Sequence, residues 1–102
     1  MTNRNSDHWI TERKKRNEIC SIIGCGTEVK RVILDRGHKN GAEIHVISST
    51  GIVTIYNERT GKMVTKLVAR PGQIKRYWKD GKAPAELIKI AREHQRKGYN
   101  KI

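Results

Sequence analysis

Residues 28–77 read EVKRVILDRGHKNGAEIHVISSTGIVTIYNERTGKMVTKLVARPGQIKRY and divide into four short runs separated by three turns. Each run is rich in Val, Ile and Thr, and each ends at a turn that contains glycine. This pattern is typical of strands that pair with their neighbours in sequence. The stretch therefore predicts a four-stranded antiparallel meander at the centre of the fold.

The two faces of this sheet are predicted to differ. The simplest loops close the turns at Ser49–Thr50 and around Glu58–Gly61. In this register one face is apolar and carries Ile44, Val46, Val53, Ile55, Val64 and Val68. The opposite face carries the polar side chains Glu43, His45, Thr54, Tyr56 and Thr65. His45, Thr54 and Thr65 form one row there, and a polar row with a titratable histidine in a basic chain indicates a place that binds phosphate.

Helices are predicted before and after the sheet. Residues 7–23, DHWITERKKRNEICSII, follow helical spacing with Ser6 as N-cap, and we expect this helix to cover the apolar face. Pro84 fits the first turn of a C-terminal helix. The predicted fold is one α+β domain over residues 1–102, with its core at about residues 7–97. It has an N-terminal helix packed on a four-stranded antiparallel β-meander, plus a C-terminal helix.

The charge balance indicates the class of partner. Lys and Arg number 22 against 10 Asp and Glu, which gives a formal net charge of +12. For so short a chain this indicates a polyanionic partner, most often nucleic acid, although a high lysine content can also simply aid solubility. No apolar run approaches the ~20 residues of a transmembrane helix, and no signal peptide opens the chain. We therefore expect a cytoplasmic protein with no membrane partner.

The two cysteines raise the alternative of a zinc site. The spacing Cys20-x4-Cys25-x12-His38-x6-His45 comes close to that of a two-Cys, two-His zinc finger. The last gap is too long, however, and a strand-like run replaces the helix that a finger has between its second Cys and first His. We therefore predict free thiols, no metal and no other cofactor, and keep a zinc-dependent binding domain as an alternative.

Two segments are predicted to contact nucleic acid in addition to the polar face. The loop 36–42, RGHKNGA, holds His38 and Lys39 between glycines, whose backbone can approach a ligand closely. After the last strand, Arg70 precedes the segment 71–78, PGQIKRYW. Arginine binds phosphate bidentately, and Tyr and Trp can stack on bases; alternatively these aromatic side chains pack on the domain and the cations are solvated. The predicted nucleic-acid-binding residues are Lys39, Thr54, Tyr56, Gln73, Arg76 and Tyr77.

The segments GHKNGAEIHVI, GIVTIYN and TKLVARPGQIKRY, placed after an N-terminal helical segment in a small basic chain, resemble the barnase–EndoU–colicin–RelE superfamily of endoribonucleases. The versions carried by phages and bacterial toxin modules are the most similar, and the resemblance spans roughly residues 10–78. It implies RNA cleavage without metal on the exposed sheet face. It also implies a possible partner in an acidic inhibitor or immunity protein.

The resemblance also implies roles for individual residues. His45 would be a general acid or base, Arg70 would hold the scissile phosphate, and Thr65 would match a common hydroxyl position. His38 would be a second acid–base candidate, and Glu43 would be the partner base as in the barnase-like members. Toxin-type sites use histidine or lysine where this chain has Glu43, so the identity of the base stays open.

The chemistry of RNA cleavage fits these residue types. RNA carries its own nucleophile, the 2′-hydroxyl, so cleavage needs a base, an acid for the 5′-oxygen and cations to neutralise the phosphorane. Histidine can do either proton transfer near neutral pH, and arginine supplies the electrostatic stabilisation. We therefore predict a metal-independent endoribonuclease that leaves a 2′,3′-cyclic phosphate. The alternative is a non-catalytic nucleic-acid-binding module of phage or mobile-element origin.

Overall fold

The computed structural model describes residues 14–35 and 41–100 of the chain. Helix α1 occupies 14–23 of these residues. The other elements are β1 (Glu28–Leu34), β2 (Glu43–Ser48), β3 (Ile52–Asn57), β4 (Met63–Val68), α2 (Pro71–Tyr77) and α3 (Ala85–Arg96). The four strands form one antiparallel sheet in the order β1-β2-β3-β4, so the predicted α+β fold is confirmed. The predicted start of the first helix at residues 6–7 lies outside the described residues.

Side chains at the strand ends hold the turns of the meander. Ser48 Oγ accepts hydrogen bonds from the backbone N–H groups of Thr50 at 3.3 Å and Ile52 at 3.1 Å. Gly51 completes this turn with a φ of 85°, a conformation that glycine adopts without a Cβ clash. The β3–β4 turn is held in a similar way by Asn57, whose Oδ1 accepts from two backbone N–H groups.

The observed strand register differs from the predicted one by one residue. His45 pairs with Ile55, and Ile55 pairs with Thr65. The predicted row of His45, Thr54 and Thr65 is therefore wrong. The reason is that the β2–β3 turn includes Gly51, and a slip of one residue moves every side chain of a strand to the other face.

A β-bulge in β4 shifts the ladder again. Ile55 pairs with Thr65, whereas Tyr56, the next residue of β3, pairs with Met63, so Val64 is the extra residue. Val64 is exposed, although it was predicted to lie on the apolar face.

Helices α2 and α3 cover the face of the sheet that carries His45, Ile47, Val53 and Ile55. The core formed there consists of Ile47, Val53, Ile55, Ala69, Ile74, Tyr77, Leu87, Ile88 and Ala91. Helix α1 reaches the sheet at β4, where Arg16 Nη1 donates a hydrogen bond of 3.1 Å to Thr65 Oγ1. The expectation that the N-terminal helix covers the apolar face is thus corrected for its described residues 14–23, whereas residues 7–13 lie outside the described part of the chain. The apolar side chains of α2 and α3 occupy the centre of that face.

The outer face of the sheet is partly apolar. Ile33, Ile44, Tyr56 and Met63 form one row across all four strands. The two end residues of this row, Ile33 and Met63, are 59% and 56% exposed. Ile44 was predicted on the buried face and lies here instead, because of the same one-residue slip. None of the helices in the two described ranges is both long enough and apolar enough to cross a bilayer.

Candidate nucleic-acid interface

A cleft of about 690 Å³ opens between α2 and the β1 side of the sheet. Its lining residues are Val32, Leu34, His45, Arg70, Pro71, Gly72, Gln73, Arg76, Tyr77, Lys79 and Gln95. Among the described residues, this lining contains the cations Arg70, Arg76 and Lys79 but no carboxylate. Concentrated positive charge in a concave site raises the local concentration of anionic ligands. The cleft is therefore suited to an anion.

The short helix α2 fixes the positions of the cleft residues. Pro71 begins the helix, where its fixed φ fits and its missing N–H needs no partner. Ile74 and Tyr77, three residues apart, are the buried residues of α2 and anchor it in the core. Gln73 and Arg76 precede these anchors and line the cleft. The arrangement follows from helical spacing once α2 lies on the sheet.

A hydrogen-bonded chain runs from the sheet to the cleft through His45. Its Nδ1 lies 2.7 Å from Tyr77 Oη, and its Nε2 lies 3.2 Å from Glu43 Oε1. Gln73 Nε2 donates to the same Tyr77 oxygen at 3.2 Å. An ionised carboxylate only accepts, so Nε2 donates to Glu43. In the neutral imidazole, Nδ1 then accepts a hydrogen bond from the Tyr77 hydroxyl.

The burial of His45 changes its predicted role. The residue is only 4% exposed and lies beneath α2, not on an open sheet face. Both ring nitrogens are already engaged, so a ligand in the cleft would reach this network through the Tyr77 hydroxyl. A direct role for the imidazole as acid or base is disfavoured by this geometry.

The structure brings together some of the predicted site residues and separates others. Arg70, Gln73, Arg76, Tyr77 and His45 line one cleft. Glu43 lies behind this cleft and binds His45.

The remaining predicted residues lie elsewhere. Thr65 shares the inner face with His45 but accepts its hydrogen bond from Arg16 of α1. Thr54 and Tyr56 lie on the outer face, because the register shift turns them away from the cleft. His38 and Lys39 are outside the described residues.

Sequence reasoning missed several residues of the cleft. Lys79 enters it from the turn after α2, and Gln95 enters from α3. Gln95 has no local signal, because only tertiary packing brings α3 to α2, whereas Lys79 follows α2 directly in sequence and could have been grouped with the segment 70–78. The bond between Gln73 and Tyr77 had such a signal, since residues four apart on a helix are neighbours.

The cysteines are free thiols in different environments. Cys20 is buried and Cys25 is exposed. Burial raises the pKa of the Cys20 thiol, because a thiolate is poorly solvated there. Within 14–35 and 41–100, no three His, Cys, Asp or Glu side chains gather as possible metal ligands. His38, the third member of the zinc-finger spacing, is outside these ranges.

The chain was compared with protein-family models, curated proteins and solved structures, and none of them matches it. The resemblance to the barnase–EndoU–colicin–RelE superfamily therefore stays a prediction, and a functional inference has to come from the cleft itself.

Proposed function

We propose that the protein binds RNA in this cleft by neutralising backbone phosphates with Arg70, Arg76 and Lys79. The observation that carries the proposal is the cationic lining of the cleft, which has no opposing carboxylate among the described residues. Guanidinium groups match phosphate bidentately, and the net charge of +12 favours association with a polyanion. The side chains of Gln95 and Tyr77 add hydrogen-bonding groups that 2′-hydroxyls and base edges can use. The proposed location is the cytoplasm.

The binding proposal is tested by fluorescence anisotropy with a labelled single-stranded RNA over a range of salt concentrations. Three phosphate contacts predict that log K falls with log salt with a slope of about −2, since each contact to a single strand contributes about 0.7. Arg70→Ala and Arg76→Ala should each weaken binding several-fold and reduce this slope.

The matched control for the binding test is Lys89→Ala. Lys89 is an exposed cation on α3 that does not line the cleft. Its removal lowers the net charge by the same amount as Arg70→Ala or Arg76→Ala. Equal losses in all three variants would mean that the overall charge, and not the cleft, attracts RNA.

A second candidate function is metal-independent cleavage of the bound RNA, and the chain Glu43–His45–Tyr77 favours it. As Tyr77 Oη takes the proton of the attacking 2′-hydroxyl, its own proton can pass to His45 Nδ1. The resulting imidazolium would be stabilised by the Glu43 carboxylate. The 2′-oxygen then bonds to phosphorus as the bond between phosphorus and the 5′-oxygen breaks. The 5′-oxygen takes a proton from water, and the hydroxide formed takes back the proton held by His45, which restores the starting state. Tyr77 is the proposed catalytic residue, and His45 positions and polarises it.

Cleavage is tested by incubating the protein with RNA in EDTA and identifying 2′,3′-cyclic phosphate ends by mass spectrometry. Tyr77→Phe should bind RNA but give no product, and His45→Asn should change the pH dependence of the rate as well as its size. A substrate with a single 2′-deoxy position should be intact at that position. If the wild type accumulates no product, the protein binds RNA without cleaving it.

A further inference from the structure

A second depression adjoins the cleft along the edge of the sheet. It has a volume of about 440 Å³ and is lined by Lys30, Arg31, Val32, Ile33, Tyr77, Lys79 and Asp80. Val32, Tyr77 and Lys79 line both spaces, so the two adjoin at these residues. Strand β1 ends the sheet on this side, and the combined groove therefore runs over its edge past the Tyr77 side chain.

Cations continue from the cleft into this depression. The ammonium group of Lys30 lies 5.2 Å from the centre of the Trp78 ring, an attractive cation–π contact that places it near α2. Lys79 lies where the two spaces meet.

The two carboxylates near the depression have other partners. Arg31 donates to Glu28 at 2.8 Å, and this hydrogen bond lowers the pKa of Glu28. Asp80 accepts from the backbone N–H of Lys82 at 3.1 Å and so stabilises the turn after α2. The cations best placed to meet a ligand in the depression are thus Lys30 and Lys79.

The shape of the groove indicates which form of nucleic acid it fits. A cleft of about 690 Å³ is of the size that encloses one small ligand. A double helix is too wide and rigid to enter such a space. A single strand is narrow and flexible enough for its phosphates to enter it one after another. Proteins that bind single strands combine a basic groove with this kind of path.

We propose that the cleft and the adjoining depression form one track for single-stranded RNA, with Lys30 as the phosphate contact beyond Tyr77. This inference rests on the proposed function, because it extends the same site. It adds the substrate class, a single strand several nucleotides long, and a contact that the first cleft does not contain.

The test is a length series of labelled single-stranded oligouridines, from two to ten nucleotides, measured by fluorescence anisotropy with the full chain. A ten-base-pair RNA duplex is measured beside them. The wild type should bind more tightly as the strand lengthens until the track is filled, and it should bind the duplex at least tenfold more weakly than the single strand. Lys30→Ala should abolish most of the gain with length, leave the shortest strand unaffected and reduce the salt slope for the longest by about 0.7.

Three further variants separate the possible outcomes. Lys30→Arg should restore the gain with length, because it keeps the charge. Lys66→Ala is the matched control, since Lys66 is a strand lysine that pairs with Thr54 near the opposite edge of the sheet. Arg70→Ala should weaken binding at every length, and its failure to do so would overturn the proposed function itself. A full length gain in Lys30→Ala, or equal binding of duplex and single strand, would overturn the track alone.

Discussion

Removal of the Tyr77 hydroxyl is expected to destabilise the fold by about 1–3 kcal/mol. In Tyr77→Phe the ring still fills its place in the core, but the hydroxyl that binds His45 at 2.7 Å and Gln73 at 3.2 Å is lost. Gln73 is half-buried and can turn its amide towards water. His45 is only 4% exposed, so its Nδ1 loses its partner and gains little access to water, and this desolvation accounts for most of the loss.

Urea unfolding followed by tryptophan fluorescence measures this loss. With a slope of about 1–3 kcal/mol per molar urea, the midpoint should fall by roughly 1 M. Tyr56→Phe is the matched control, because Tyr56 is a half-exposed residue on the outer face and its change should stay within about 0.5 kcal/mol. If the two variants lose equally little, the bond between imidazole and phenol does not form in solution, and the proposed proton path through it is refuted.

A double-mutant cycle isolates this bond from the loss of packing. His45→Leu alone removes the nitrogen that accepts the proton of the Tyr77 hydroxyl. In the double variant Tyr77→Phe/His45→Leu neither polar group is left unsatisfied, so the combined loss should be smaller than the sum of the two single losses. Glu43 is partly exposed and can be hydrated when His45 is absent. Additive losses would indicate that the two residues do not interact.

Three further outcomes follow from the packing and the turns. Ile47→Ala should lower the free energy of unfolding by about 2–5 kcal/mol in urea unfolding, because Ile47 is 0% exposed in the core, and a loss below 1 kcal/mol would contradict its burial. Gly26→Ala should lower the midpoint of thermal unfolding more than Gly61→Ala. Both glycines have positive φ, but a Cβ at Gly26 would lie 2.5 Å from the hydroxyl oxygen of Ser49, whereas nothing lies within 4 Å of a Cβ at Gly61. Equal shifts of the midpoint in the two variants would exclude the clash at Gly26. A thiol reagent with spectroscopic readout should modify Cys25 in the native protein and Cys20 only on unfolding, because Cys20 is buried and the pKa of its thiol is raised. Fast modification of both cysteines in the native protein would contradict the burial of Cys20.

The strands and turns of this fold could be predicted from sequence, but the register could not. Runs of Val, Ile and Thr between glycine turns indicate strands whatever their alignment. The alignment depends on whether the β2–β3 turn includes Gly51, which is settled by two hydrogen bonds to Ser48 Oγ. Hydrophobic pattern does not detect such bonds. Side chains alternate along a strand, so the inclusion of Gly51 in the turn moves each side chain of β3 to the other face relative to β2. His45 therefore shares its face with Ile55 and lies in the core.

In the candidate site, too, residues that are close in sequence could be predicted together, whereas a residue distant in sequence could not. Arg70, Gln73, Arg76 and Tyr77 lie within eight residues of sequence, and the short helix α2 places them along one cleft. His45 joins them from a position 32 residues away. Its proximity depends on α2 packing across the sheet, and α2 has too few apolar residues for its sequence to predict that packing.

The order of the groups in the hydrogen-bonded series Glu43–His45–Tyr77 helps to decide between RNA binding and RNA cleavage. Phosphate binding needs only the cations, and an apolar pair in place of Tyr77 and His45 would fill the same space. A buried imidazole with both nitrogens paired brings little net stability, because apolar groups of similar shape would serve as well. In the hydrogen-bonded series Glu43–His45–Tyr77, the Glu43 carboxylate lies farthest from the cleft and the Tyr77 phenol lies at it. The negative charge on Glu43 therefore draws the phenolic proton towards His45. That polarisation places electron density on Tyr77 Oη in a cleft that Arg70 and Arg76 also line, which is where a base that deprotonates a 2′-hydroxyl would have to be.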